Sequence, residues 1–367
     1  MSDRLNAFQE KVRAAGVDLV VLNPGPSMTY LTGHEFVSHE RLFLLFVPAE
    51  GSPGAILPLL EQDNWAHAVP SVDNMWLWDD KDGTGAAVAA AGAEYAAAGT
   101  IGIEPLGLRY MEYEVLRERF PAAEIVSAAA IVNSMRQFKD ADEAGRMRKA
   151  AEIAEQALEE TVQLVRVGTT EKQISAELVS RMLGKGGEGI SFGPIVLGGP
   201  QSALPHGVPG ERPVGAGEYL LIDFGTSWGG YHCDITRTFV VGAEPDERQR
   251  AVYEAVRQGN ADGCAKATVG TSSHDVHMAA QAPLMAPEFA DYFKHRTGHG
   301  LGLDIHEPPS VMEGNHELLD AGAVITVEPG LYLEGWGGVR IEDDIWVTDD
   351  GPVSLTSYPH ELRVIGT

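Results

Sequence analysis

The sequence predicts two domains: an α/β domain over residues 1–132 and an α+β domain over residues 133–367. Three observations lead there. The chain has 367 residues, more than a single hydrophobic core usually serves. Its first third alternates short apolar runs with helix-forming segments. A long amphipathic helix follows, and beyond it acidic residues interrupt strands that are otherwise β-branched and apolar.

The elements follow in order. DRLNAFQEKVRAAG predicts a helix ending at Gly16, and DLVVL (18–22) a buried strand. PGPSMTYLTG (24–33) reads as loop and turn. RLFLLFVP (41–48) and GAILPLL (54–60) read as strands. The alanine-rich run over 85–99 is helix by propensity, and TIGIE (100–104) a short strand. The long helix runs from Asp140, a plausible N-cap, to a stop at Gly168. Met147, Ala151, Ala154, Leu158 and Val165 form its apolar stripe, read as core packing. EYLLIDFGT, RTFVVG, AVITVEPGLYL and GVRIEDDIWVT then predict strands, and DERQRAVYEAVRQG a helix. HDVH (274–277) reads as a surface helix. GLGLD and GWGGVR are glycine-rich, but neither follows a strand and opens a helix as a dinucleotide site requires.

Composition excludes several functions. A net charge of −26 repels phosphate backbones, so nucleic acid is a poor partner. No apolar run is long enough to span a membrane, and the charged N-terminal segment lacks the apolar core of a signal peptide. Cys233 and Cys264 are the two cysteines, which disfavours a disulfide framework or a cysteine zinc site and suits a reducing cytoplasm.

The chemistry gathers in the second domain. Asp223 interrupts LLIDFG, Asp234 lies in HCDITRTF, Glu328 in ITVEPG and Glu342 in VRIEDD. Any one of them could be an acid in an ion pair or at a strand edge. Four together cannot all stay ionised without cations, because like charges raise each other's pKa. Two divalent cations would balance four carboxylates, and bridging carboxylates suit metals about 3.5–4 Å apart. HRTGHGLGLDIHE (295–307) adds histidines among glycines, which would let backbone pass close to such ions. One neutral imidazole is a ligand acceptable to Mn, Co or Zn. Arg340 stands two residues before Glu342, so alternation puts both on one strand face. Arg237 reads as a structural ion-pair residue.

These motifs resemble the pita-bread metallopeptidases that act at proline, aminopeptidase P and Xaa-Pro dipeptidase (prolidase). HRTGHGLGLDIHE fits the histidine signature, and LIDFG, CDITRTF, VEPGLY and VRIEDD follow in the family's order, with SALPHG (202–207) and TYLTG besides. The resemblance implies a creatinase-like N-terminal domain and a C-terminal pita-bread domain of the creatinase/methionine aminopeptidase type. It implies two metal ions held by Asp223, Asp234, His299, Glu328 and Glu342. Glu328 resembles the proton-shuttling carboxylate. His306 and His206 resemble histidines that face the scissile carbonyl. His295, Arg340 and Tyr332 fall in the substrate pocket, and Thr236 resembles a hydroxyl holding Asp234. Relatives imply a homodimer.

The resemblance leaves dipeptidase and aminopeptidase P both open, with the dipeptidase favoured by the short two-domain length. A dipeptidase must hold the substrate's C-terminal carboxylate, ideally with arginine. Some prolidases place an arginine eleven residues after the ligand histidine. Here Ser310 stands there, so Arg41 or Arg340 is expected to substitute. A small-amide hydrolase or a binding protein on the same fold is the more distant reading, and the intact ligand set argues against both.

Overall fold

The computed structural model describes residues 3–367, which divide into two compact units between Arg136 and Gln137. The boundary expected at 132 falls inside a helix, Ala129–Arg136, whose Ile131 and Val132 belong to the first unit's core.

The first unit is a mixed sheet covered on both faces. Its strands are β1 (Leu19–Leu22), β2 (Leu44–Pro48), β3 (Gly54–Pro58), β4 (Asn74–Trp78), β5 (Thr100–Ile103) and β6 (Glu124–Ser127), in the spatial order β4-β3-β2-β1-β5-β6. β1 pairs antiparallel with β2 and parallel with β5. Its side chains divide by alternation. Val20 and Leu22 pack with Leu5, Phe8 and Val12 of α1 (Asp3–Ala14); Leu19 and Val21 pack toward Ala87 and Ala91, in a later helix. A strand buried on both faces reads as a continuous apolar run, as LVVL does.

PGPSMTYLTG is a helix rather than a turn: α2 spans Pro26–Thr32. Proline is tolerated in the first turn, where its missing N–H would be unpaired anyway, and Gly33 closes the helix at φ 74 with its N–H on Thr29 O. Met28 and Leu31 are its buried residues that fill the core. α3 (Gln62–Ala68), α4 (Gly85–Glu94), α5 (Tyr110–Arg119) and α6 (Ala129–Arg136) complete the unit.

The second unit opens on α7 (Ala141–Val162). Asp140 caps it, accepting from Glu143 N at 2.8 Å while Glu143 Oε2 accepts from Asp140 N at 2.9 Å. The helix stops at Val162, six residues before Gly168, yet Val165 remains in the core, so the expected stripe is buried although its last member lies outside the helix. α8 (Glu171–Gly184) follows, and then β7 (Gly189–Ile190), β8 (Ile195–Gly198), β9 (Tyr219–Phe224), β10 (Thr226–Trp228), β11 (Tyr231–His232) and β12 (Ile235–Val241). α9 (Glu247–Lys266) and α10 (Ser273–Gln281) lead to β13 (Gly298–Gly300), β14 (Glu307–Val311), β15 (Val324–Val327), β16 (Gly330–Leu333), β17 (Gly337–Arg340), β18 (Asp343–Thr348), β19 (Gly351–Ser354) and β20 (Val364–Ile365). One sheet runs β20-β12-β9-β8 and another β14-β13-β15-β18-β19, with the β16–β17 hairpin apart. The HDVH segment is not wholly surface: His277 is buried, its Nδ1 2.8 Å from Thr297 Oγ1. No described helix is long and apolar enough to cross a membrane.

Candidate metal centre

Five residues on or beside these strands line one cavity. Leu220, Ile222 and Phe224 of β9 enter one core, so alternation turns Asp223 to the opposite face. Register sets Asp223 across from Thr236 of β12. Asp234 lies just before β12, Glu328 just after β15, and Glu342 between β17 and β18, where Glu342 N donates to Thr236 O at 3.1 Å. Asp223 is therefore the one of the four acids inside a strand; the other three stand where a ladder begins or ends. His299 is the middle residue of β13.

The flanking glycines serve strand packing. A Cβ at Gly298 would lie 1.9 Å from Thr326 O, and one at Gly300 2.1 Å from Pro308 O. Both neighbouring strands approach too closely for any side chain, and this fixes His299 in depth.

His299 Nδ1 lies 2.9 Å from Gly300 O, a carbonyl that can only accept, so Nδ1 carries the proton and Nε2 presents a lone pair. That lone pair faces Asp234 Oδ2 at 3.7 Å and Glu328 Oε1 at 3.6 Å. Burial, first among the causes, holds His299 down to about 3, so the imidazole is neutral and these contacts are not ion pairs. One donor atom each from Asp234, His299 and Glu342 lie within 4.8 Å of one another. Asp223 Oδ1 and Asp234 Oδ1 are buried with no hydrogen-bond partner. Burial and then mutual repulsion push Asp234 and Glu342 well above the usual carboxylate range, and burial foremost pushes Glu328 up to about 8. Lone pairs aimed at lone pairs, with orphaned carboxylate oxygens, fit hard or borderline divalent cations.

Arg340 organises the acids. Buried, it donates through Nη2 to Asp223 Oδ2, through Nη1 to Tyr332 OH at 2.8 Å and through Nε to Thr236 Oγ1 at 3.1 Å. The Thr236 hydroxyl donates on to Glu342 Oε2 at 2.6 Å, rather than holding Asp234. Tyr332 OH, already accepting from Arg340, donates to His295 Nε2 at 2.7 Å, and His295 Nδ1 donates to Arg296 O at 2.6 Å. Both nitrogens of His295 are thus committed, and the ring offers only its edge and face. Burial holds it down to about 4.

A cavity of about 450 Å³ opens over this floor, within the range of small-molecule sites. His206 and His306 line it with exposed rings, and His306 meets the His299 ring edge-on at 4.4 Å between centroids. Sequence reasoning missed Phe192, Ile195, Pro205, Arg296 and Ile305 on its wall. It also missed a buried ion pair, Lys139 Nζ to Glu307 Oε2 at 2.8 Å, beside His306. Arg237 is buried and paired with Asp343 at 2.8 Å, as expected of a structural residue. Arg41, in the first unit, is engaged by Asp80 at 2.7 Å and Glu40 at 3.1 Å.

The family model for "Metallopeptidase family M24" matches residues 145–349, and that for "Creatinase/Prolidase N-terminal domain" matches residues 4–138. The Xaa-Pro dipeptidase of Pyrococcus furiosus is 35% identical over 263 residues, 72% of this chain and 75% of that protein. The crystal structure of a prolidase from Thermococcus sibiricus superposes with a TM-score of 0.93 at 31% identity, covering 99% of this chain and 98% of that one. An X-Pro aminopeptidase from Thermotoga maritima superposes at 0.83 with 28% identity, covering 97% and 99%. The pita-bread fold and the creatinase-like domain are thereby shown. The buried Asp234–His299–Glu342 cluster could hold a divalent metal, as a metallopeptidase requires, and the chain belongs to metallopeptidase family M24.

Proposed function

We propose that this chain is an Xaa-Pro dipeptidase, hydrolysing the bond before proline in a dipeptide with two divalent cations held by Asp223, Asp234, His299, Glu328 and Glu342. The observation that carries the reading is the neutral His299 lone pair set among raised and orphaned carboxylates at the floor of a cavity. The cations, Mn, Co or Zn, would polarise the scissile carbonyl and make water nucleophilic near neutral pH.

The chain's own groups supply the rest. Glu328 takes the proton from the attacking water and passes it to the departing proline nitrogen. His306 and His206 reach the cavity and donate to the carbonyl oxygen as it gains charge. Tyr332, held by Arg340, locks the His295 ring into a wall against which the proline ring packs. Proline lacks the N–H on which ordinary peptidases rely, so a shaped wall replaces that hydrogen bond. Arg340 and Thr236 hold Asp223 and Glu342 at fixed orientations. The protein would act as a homodimer in the cytoplasm, and its free cysteines suit that reducing compartment.

Turnover of Ala-Pro, Ala-Pro-Ala and Ala-Ala by protein loaded with Mn²⁺, Co²⁺ or Zn²⁺ tests the proposal. Cleavage of Ala-Pro well above the other two, with two metals per chain, is expected. Preference for the tripeptide moves the assignment to aminopeptidase P, and active protein with one metal or none per chain ends the dinuclear reading.

A further inference from the structure

Resting on that reading, we propose that Arg296 binds the substrate's C-terminal carboxylate, with Ser310 as its brace. Arg296 lines the cavity and is partly buried. No described carboxylate pairs with it; its recorded side-chain contact is Nη1 donating to Ser310 Oγ at 3.1 Å. A guanidinium withdrawn from water without a counter-ion is costly, so its placement calls for an anion that arrives with the ligand. The other cation on the cavity wall, Arg340, is committed to Asp223, Thr236 and Tyr332. Arg41 already carries two acidic partners in its own unit.

The brace is itself fixed. Ser310 pairs with His299 in the β13–β14 register, and its carbonyl accepts from Asn315 Nδ2 at 2.7 Å. One fork of the guanidinium is thus tied to the strand that flanks the metal ligand, while Nε and Nη2 keep their donors for a planar anion. Ser310 stands where some prolidases carry arginine. The side chain beside it in space supplies the missing charge from another position in the chain.

The test compares Ala-Pro with Ala-Pro amide, which keeps the scissile bond but has no carboxylate. Wild-type protein, Arg296→Gln, Arg296→Lys and Arg41→Ala are assayed with Mn²⁺. Arg296→Gln should lower kcat/KM for Ala-Pro by roughly tenfold to a hundredfold, the size of a lost charge-assisted contact, through KM. It should leave the amide nearly untouched. Arg296→Lys should recover part of the loss, and Arg41→Ala should keep the wild-type ratio. Equal losses on both substrates, or a ratio that collapses in Arg41→Ala instead, would overturn the assignment. If wild-type protein cleaves neither substrate, the proposed function fails. Calorimetry with L-proline and L-prolinamide on the metal-loaded protein then still decides Arg296: proline binding must be the tighter and must lose that advantage in Arg296→Gln.

Discussion

Lys139→Met should be among the most damaging changes away from the metal ligands. Lys139 and Glu307 are a buried pair, their side chains only 1% and 3% exposed, with Nζ 2.8 Å from Oε2. Lys139 stands directly before the Asp140 cap, and its N–H donates to Gly322 O at 2.7 Å. Glu307 opens β14 immediately after His306 and also accepts from Asp304 N at 3.2 Å. Removing the lysine leaves a carboxylate buried without its cation, which costs about 3–5 kcal/mol. At about 2–4 °C per kcal/mol for a unit of this size, the melting temperature should fall by roughly 6–20 °C. Replacing both partners by apolar side chains removes the stranded charge, so Lys139→Met/Glu307→Leu should regain most of the loss. Guanidinium denaturation of the four members of this cycle measures it. Because Asp304–Glu307 carries His306, the single variant should also lose kcat while keeping both metals. A single variant costing less than about 1 kcal/mol, or a double variant as unstable as the single, would refute the reasoning.

Other outcomes follow from the same geometry. His306→Ala should lose most turnover with metal content unchanged; parallel loss of metal would make it a ligand or a support. Gly302→Ala should destabilise the same loop, since its Cβ would lie 2.7 Å from Lys139 Cε and 2.9 Å from Glu307 Oε2; a melting temperature equal to wild type would contradict this. In metal-free protein, Glu328 is raised from its ordinary 4.5 to about 8, so the stability of its protonated form is present below the ordinary value and lost as pH rises through about 8. Below about pH 6.5 the depressed histidines, His295 and His299 among them, gain stability as pH rises and oppose this, so the melting temperature of metal-free protein should fall between about pH 7 and 8, and divalent cation should reverse the slope because it requires deprotonated ligands. A metal-free protein that becomes more stable across that window rules out the charge crowding inferred for the site.

Runs buried on both faces were the most legible part of the fold. LVVL is a central strand with every residue covered, and no turn residue interrupts it. PSMTYLT was misleading for the opposite reason: its proline, serine and threonines are turn formers by composition, yet proline fits the first turn and Gly33 takes the left-handed cap. NMWLW was missed although Met75–Trp78 is an apolar run as long as LVVL; β4 is an edge strand, half-buried along its whole length. α5 gave no stripe, since it buries Glu112 and Leu116 while Tyr110, Met111 and Tyr113 stay exposed.

The acids of the site were legible because burying a carboxylate is costly, and that cost does not depend on where a strand ends. Their exact neighbours depend on little else. Arg340 and Glu342 both line the cavity although Glu342 stands beyond the end of β17, and the contact that matters runs to β12, from Arg340 through Thr236 to Glu342. Register between distant segments leaves no mark on a single stretch of sequence. The same holds for Arg296: between His295 and Thr297 it has no periodicity to betray it. Its meaning lies in what it lacks, an acidic partner, and in a serine fourteen residues away that only the β13–β14 hairpin brings beside it. Charge excess is visible in a composition, whereas the unneutralised charge that selects a ligand is visible only once every other cation on the cavity wall has been assigned its acid.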